Sequence, residues 1–213
     1  MKTLVCLPTY NERESIVEMI ERIRALGLDL IVVDQHSTDG TIALAERLGT
    51  PVHQRTGQGK GAGVQKAVAL AAAQGCDVLV LIDCDLTYQP ESIPELLSRM
   101  DGAEMVVGAR DFGAIHWSHR LVNYLHTGMI NWLFGARLRD INSGLRVLRV
   151  RAFQRLLDAD GFDIEAQITT RALRSRFRVL EVPVAYLRRA GRSKIRARDT
   201  WTICRTILRE RWS

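Results

Sequence analysis

The sequence predicts an α/β fold, a mainly parallel sheet flanked by helices and finished by an amphipathic C-terminal helix. Three observations carry this. Short apolar runs at Leu4–Leu7, Leu30–Val33 and Val78–Ile82 are rich in Val, Leu and Ile, and each ends in a polar turn. Helix-like segments at Glu12–Leu26, Thr41–Leu48 and Gly63–Gln74 alternate with them. The runs are apolar on both faces, as strands are when helices cover both sides of a parallel sheet.

Each element has its own signal. In the first helix Ile16, Met19, Ile20 and Ile23 recur at helical spacing. Asp39 before Gly40-Thr41 reads as the N-cap of the second, and Gly49-Thr50-Pro51 ends it. The alanine-rich Ala67–Ala73, bounded by Lys66 and Gln74, reads as a buried helix. Pro90-Glu91 opens another helix, and Met105–Ala109 is a further strand. Trp117–Phe134 is then expected as helix, Gly144–Val150 as strand and Ile164–Phe177 as helix. Val179–Leu187 reads as strands broken at Pro183, and Ala197–Trp212 as a basic helix. Without a linker, repeat or low-complexity stretch, residues 1–213 are expected to form one domain, with 198–213 as its terminal helix.

Composition bounds the function. A chain of 213 residues with 46% hydrophobic and 25% charged residues can bury a substantial core, which excludes wholesale disorder. The net charge of +6 and pI of about 9.5 point to an anionic partner, a nucleotide, a phospholipid surface or a nucleic acid. Cys6, Cys76, Cys84 and Cys204 are scattered without metal-binding spacing and read as reduced thiols of a cytoplasmic protein. Leu4–Leu7 is too short for a signal-peptide core, and no run approaches the roughly 20 apolar residues of a spanning helix.

In open parallel sheets ligands bind beyond the carboxyl ends of the strands, which singles out the turns Pro8–Glu12, Asp34–Gly40 and Asp83–Thr87. Asp83-Cys84-Asp85 directly follows a buried strand. Two carboxylates one residue apart there can hold a hard divalent cation on a diphosphate, although a solvated acidic turn is the plain alternative. Asp34 is an acceptor suited to a nucleotide's base or ribose, while Ser37, Thr38 and Asp39 also suit simple helix capping. Gly57-Gln58-Gly59-Lys60-Gly61-Ala62-Gly63 allows close backbone approach ahead of a helix N-terminus. It lacks the Gly-Lys-Ser/Thr of a P-loop, so nucleotide contact and tight packing stand level.

Taken in order, Pro8-Thr9-Tyr10-Asn11-Glu12, the Asp34–Thr41 turn, Gly59-Lys60-Gly61-Ala62 and Asp83-Cys84-Asp85-Leu86 resemble family-2 glycosyltransferases of the Rossmann-like GT-A fold. Three later segments resemble the polyprenyl- and dolichyl-phosphate mannose synthase branch. They are Asp140–Arg146, Gly161–Glu165, and Glu181–Val184 followed by Arg188–Lys194. The resemblance implies an inverting, metal-dependent transferase that moves a sugar, mannose from GDP-mannose first, from a nucleotide-sugar to a polyprenyl phosphate. It implies Mg²⁺ or Mn²⁺ on Asp83 and Asp85, helped by Thr87. Pro8, Tyr10, Glu12, Asp34, Lys60, Asp83, Cys84 and Asp85 would bind the donor. Asp85, Arg110, Arg120, Asp140, Arg188 and Lys194 would form the catalytic set, and Arg146 would face phosphate as well. Glu165 fits either a direct role or the orientation of an arginine. Three positions depart from the pattern: Gln35-His36 stands where members of the family usually carry Asp-Gly, and Thr87 where Gln or Ser is common.

An ionised phosphate acceptor needs no general base, whereas a hydroxyl acceptor would, and Asp140 is the candidate for that. In the C-terminal helix Trp201, Cys204, Leu208 and Trp212 recur at helical spacing among Arg196, Arg198, Arg205, Arg209 and Arg211. That pattern suits a peripheral site on the cytoplasmic membrane face or docking on the core. A separate membrane partner is a further expectation. The rival readings are a UDP-sugar transferase, a nucleotide-sugar-binding protein without turnover, and nucleic-acid binding, which no recognised motif supports.

Overall fold

The computed structural model describes residues 1–57, 59–111, 113, 117–187 and 197–212. Its strands are β1 (Thr3–Thr9), β2 (Asp29–Asp34), β3 (Val52–Gln54), β4 (Val78–Leu81), β5 (Met105–Arg110), β6 (Arg146–Arg149) and β7 (Val179–Val184). They form one sheet in the order β3-β2-β1-β4-β6-β5-β7. β6 runs antiparallel to β4 and β5, and the remaining pairs are parallel. The expected mainly parallel α/β sheet is present. The chain builds outward from β1 through β2 to β3, then returns to place β4 on the other side of β1. Strand order therefore reverses between β1 and β4, which opens a crevice at their carboxyl ends.

Alternation along the strands makes two cores. Val5, Leu7, Leu30, Val32, Val78 and Val80 join one buried cluster with Ile16, Met19, Ile20 and Ile23 of α1 (Ile16–Ala25). Leu4, Cys6, Ile31, Val33, Leu79 and Leu81 join the other, against Val64, Ala67, Val68 and Ala71 of α3 (Lys60–Ala73). Successive side chains point to opposite faces, so an unbroken apolar run feeds both layers.

Several boundaries differ from expectation. α1 begins at Ile16 because Glu12–Ser15 form a turn in which Ser15 N and Ile16 N both donate to Glu12 O. Gly40, in the left-handed region, occupies the N-cap of α2 (Thr41–Arg47), and Asp39 reaches over it to accept from Thr41 N at 3.0 Å. β7 is not broken at Pro183. It pairs only with β5, and an edge strand tolerates the missing N–H of proline. The remaining helices are α4 (Ile93–Ser98), α5 (Trp117–Phe134), α6 (Val150–Phe153), α7 (Ile164–Arg174) and α8 (Ala197–Trp212).

α8 docks on the core. Ile203 and Ile207 bury against Ile130, Ile141 and Ala166, Thr206 Oγ1 donates to Asp163 at 2.7 Å, and Glu210 pairs with Arg171 at 2.9 Å. Trp201, Leu208 and Trp212 stay exposed. Of the two fates read from the sequence, docking on the core is the one these contacts show.

Candidate active site

The three turns singled out by the sequence meet at the β1/β4 crevice and beside it. Asn11, His36 and Leu86 follow β1, β2 and β4 with φ of 52°, 53° and 60°. Among the described residues the one other non-glycine in this region is Arg176, so left-handed backbone concentrates at this edge, as it does at functional sites. His36 keeps a backbone conformation that glycine takes most readily.

The first two turns are laced together by side chains. Thr9 Oγ1 donates to Asp34 at 2.6 Å, and Ser37 gives Asp34 both its N–H (2.7 Å) and its hydroxyl (2.6 Å). Asn11 accepts from Thr38 N, and Asn11 N donates to Ser37 Oγ. Glu12 N donates to Thr41 Oγ1. Asp34 is fully buried, and its carboxylate is taken up by Thr9 and Ser37, which fixes the shape of the turn. Tyr10 is 44% exposed at the end of β1, and Pro8 lines a cleft with Lys60, Gly144 and Glu165.

Past β4 the strand alternation continues: Asp83 and Asp85 face outward in part, and Cys84 turns into the core. Cys84 therefore brings only its backbone to the site, and burial pushes its thiol well above the usual range. Thr87 is buried and gives its hydroxyl to Asp85 Oδ1 at 2.5 Å, so it aims Asp85. Lys60 crosses from the start of α3 and places Nζ 2.6 Å from Asp83 and 2.6 Å from Glu165 on α7. Burial draws the Lys60 ammonium down, the two carboxylates outweigh it, and the net direction is up, so the side chain stays cationic. Glu165 thus holds a lysine where an arginine was expected.

The glycine-rich segment resolves toward packing. A Cβ on Gly59 or Gly61 would strike the backbone of Ala159–Gly161, and Gly61 N donates to Asp160 O at 2.8 Å. The three-residue β3 precedes it at the sheet edge. Gly144 is needed for a different reason: a Cβ there would run into the Asp83 carboxylate. Its N–H donates to Tyr88 Oη at 2.8 Å, and Tyr88 packs edge-on to Tyr186, with ring centres 5.0 Å apart. The sequence reading missed both contacts. Gly144 lay inside a quoted motif, and nothing in the sequence pointed to Tyr186.

Asp140 is sealed. Its side chain has no exposure and takes Arg110 N (3.1 Å), Nε (2.6 Å) and Nη2 (2.8 Å), with Asn142 N at 3.2 Å. Glu181 braces the turn from below by accepting from Arg139 N and Asp140 N. Arg110, held in this way, lies over the Tyr186 ring at 5.3 Å. Arg146, expected to face phosphate, is instead buried. It ties the turn together by donating to Ser143 O, Ile141 O and Thr169 Oγ1. Burial draws its guanidinium below the usual range, with Glu165 and Asp140 opposing. Arg120 is exposed on α5. Arg188, Lys194 and Arg196 lie outside the described residues, as does the side chain of Arg198.

The donor set suits a hard divalent cation. Asp83 and Asp85 offer carboxylate oxygens, and among the described residues no group of three or more His, Cys, Asp or Glu forms a complete cage. Mg²⁺ and Mn²⁺ at such sites take one or two carboxylates and fill the rest of their shell from phosphate and water.

The sequence model of glycosyl transferase family 2 matches residues 4–162. The chain belongs to this family. This family-2 transferase is 30% identical to a polyprenol monophosphomannose synthase of Mycolicibacterium smegmatis, over 88% of this chain and 78% of that one. It is 29% identical to an undecaprenyl-phosphate mannosyltransferase of Micrococcus luteus, over 92% and 88%. Glucosyl-3-phosphoglycerate synthase of Mycobacterium tuberculosis, solved with phosphoglyceric acid, superposes with a TM-score of 0.80 at 24% identity, covering 98% of this chain and 79% of that one. That likeness establishes the GT-A fold.

Proposed function

We propose that this family-2 transferase moves a mannosyl group from GDP-mannose to a polyprenyl phosphate, with inversion, at a membrane surface. It works as one domain. The relatives named above are mannosyltransferases of polyprenyl phosphates, and the glucosyl-3-phosphoglycerate synthase structures include one with Mn²⁺, UDP and product together. Among the described residues no helix is long and apolar enough to cross a membrane.

The observation that carries the acceptor class is Asp140. A carboxylate with no exposure and four hydrogen bonds is a poor general base. An acceptor phosphate arrives already ionised. Its oxygen attacks the anomeric carbon, the bond from that carbon to the donor diphosphate breaks, and the electron pair leaves with GDP. No proton has to be removed.

Pro8, Tyr10 and Glu12 line the nucleotide side of the crevice, over a floor shaped by Asp34. Asp83 and Asp85 would hold Mg²⁺ or Mn²⁺, whose charge offsets the negative charge growing on the diphosphate. Lys60 bridges Asp83 and Glu165 and holds both in place. Arg110, with Arg120, Arg188 and Lys194, supplies cations for the phosphates.

The test is incubation with Mn²⁺, a panel of GDP- and UDP-sugars and a short polyprenyl phosphate, read by mass spectrometry. Mannosyl-phosphoprenol from GDP-mannose is the expected product. Product from a UDP-sugar instead would replace the donor. Turnover with a prenol but not with its phosphate would overturn the acceptor class.

A further inference from the structure

Amphipathic helices on a soluble protein turn apolar residues inward. The first part of α5 does the reverse, while Met129, Leu133 and Phe134 near its end pack beside Ile130 on the core. Asn123, His126, Thr127 and Ile130 form its buried stripe, and the first three are polar. They meet the turn that carries Asp140: Asn142 Nδ2 donates to Asn123 Oδ1 at 2.8 Å and lies 3.2 Å from His126 Nδ1, and Ile141 N reaches Thr127 Oγ1 at 3.4 Å. The outward stripe of α5 is Trp117, Leu121, Tyr124, Leu125 and Trp132, each more than half exposed, with Arg120 among them.

α8 packs against α5 and repeats the pattern. With Ile203, Thr206, Ile207 and Glu210 turned inward, Trp201, Leu208 and Trp212 face out beside Arg205, Arg209 and Arg211. The chain has four tryptophans. All of them lie on these two outward faces, at 70%, 83%, 75% and 73% exposure for Trp117, Trp132, Trp201 and Trp212. Tryptophan is normally among the most buried residues on average, and it gathers in the open where an aromatic ring meets a lipid headgroup layer.

We propose that the outward faces of α5 and α8 form one docking surface for an anionic phospholipid bilayer. This rests on the reading above that the enzyme works at a membrane, and it names the surface that makes the contact. Charge selects the occupant. α5 has no acidic residue, and of the two acids on α8, Glu210 is buried against Arg171. Tryptophan and leucine fringed by arginine match acyl chains beneath anionic headgroups. A second copy of the chain would fit worse, because a two-fold interface sets the arginine fringe against itself. The surface also adjoins the site: α5 follows β5, whose last residue is Arg110, and its buried stripe holds the Asp140 turn. A lipid-borne phosphate would thus approach the crevice beside the surface that binds its bilayer.

The test uses the full chain with phosphatidylcholine vesicles, with and without about one third phosphatidylglycerol. The tryptophan emission should shift to the blue, and the protein should sediment with the anionic vesicles. Trp117→Ser with Leu121→Ser, and separately Trp201→Ser with Trp212→Ser, should each lower partitioning at least tenfold, on the order expected for two large exposed side chains. Arg205→Gln with Arg211→Gln should cost about fivefold per arginine on anionic vesicles only. Turnover of a water-soluble short-chain acceptor without vesicles should be unchanged in all three. Loss of that turnover in the wild-type protein would sink the enzymatic reading and leave the vesicle result to judge the surface. Vesicle binding that is absent, or equal in wild type and variants, overturns the docking surface. A blue shift without lipid, together with a dimer by sedimentation velocity, does so as well.

Discussion

Asp83 and Asp140 sit at the same edge of the sheet, on either side of the start of β6, and their circumstances are opposite. The Asp83 side chain is 31% exposed, paired with Lys60 and accommodated by the bare backbone of Gly144. The Asp140 side chain has no exposure and is filled by Arg110 and a backbone N–H. Both belong to motifs that mark the family, and both were read as chemistry from the sequence. Motif membership does not distinguish a carboxylate left partly exposed in the crevice from one sealed into the wall around it. Exposure and hydrogen-bond capacity do.

The comparison can be broken from several sides. The largest effect is expected at the open carboxylates. Asp85→Asn removes the charge that Thr87 aims, and transfer should fall about 10³-fold while the melting temperature stays close to wild type. A variant with full activity would remove the metal site from this turn. Next comes Gly144→Ala. The added methyl must displace the Asp83 carboxylate, and a shift of that size at a reacting centre costs about 10²-fold in kcat. Mutant activity near wild type would mean that Asp83 has no positional role.

Asp140→Asn sharpens the other side. Breaking a buried pair should lower stability by about 3 kcal/mol in denaturant titration, because Arg110 loses its counter-charge. The acidic limb of the pH–rate profile should keep its shape. If Asp140 were the base, that limb would vanish, over and above the loss of stability.

The smallest effect is at His126. Burial draws its pKa below the ordinary histidine value, with hydrogen bonding to Thr200 and Asn142 opposing. A depressed folded-state pKa means that the unfolded chain binds the proton more readily. Stability is therefore full above the unfolded value and declines as pH falls through about 6.5. Melting curves at about pH 7.5 and about pH 5.5 should show that fall, and His126→Gln should flatten it.

Much of the fold was legible because the strands announce themselves. Leu4–Leu7, Leu30–Val33 and Val78–Ile82 are apolar without interruption, and only a sheet covered on both sides needs that. Pro183 misled because a proline breaks a central strand, and that β7 lies at an edge is a fact of sheet order, not of local sequence. In the site, Asp83 and Asp85 were visible because alternation at a strand end puts both on one side. Lys60 was undervalued because its partner Glu165 lies on a distant helix. Arg146 was misplaced because a guanidinium that donates to three neighbours looks, in sequence, the same as one that awaits phosphate.

By itself the sequence determined the class of fold, the turns that gather at the crevice, and the family. These depend on local periodicity and on the order of short motifs, both of which are written along the chain. The tertiary structure alone decided which carboxylate is open, which arginine is spent on the wall, and which face of α5 looks outward. Those outcomes depend on pairing and burial between segments far apart in sequence. The free energy of a charged or aromatic side chain is set by the neighbours that the fold brings to it.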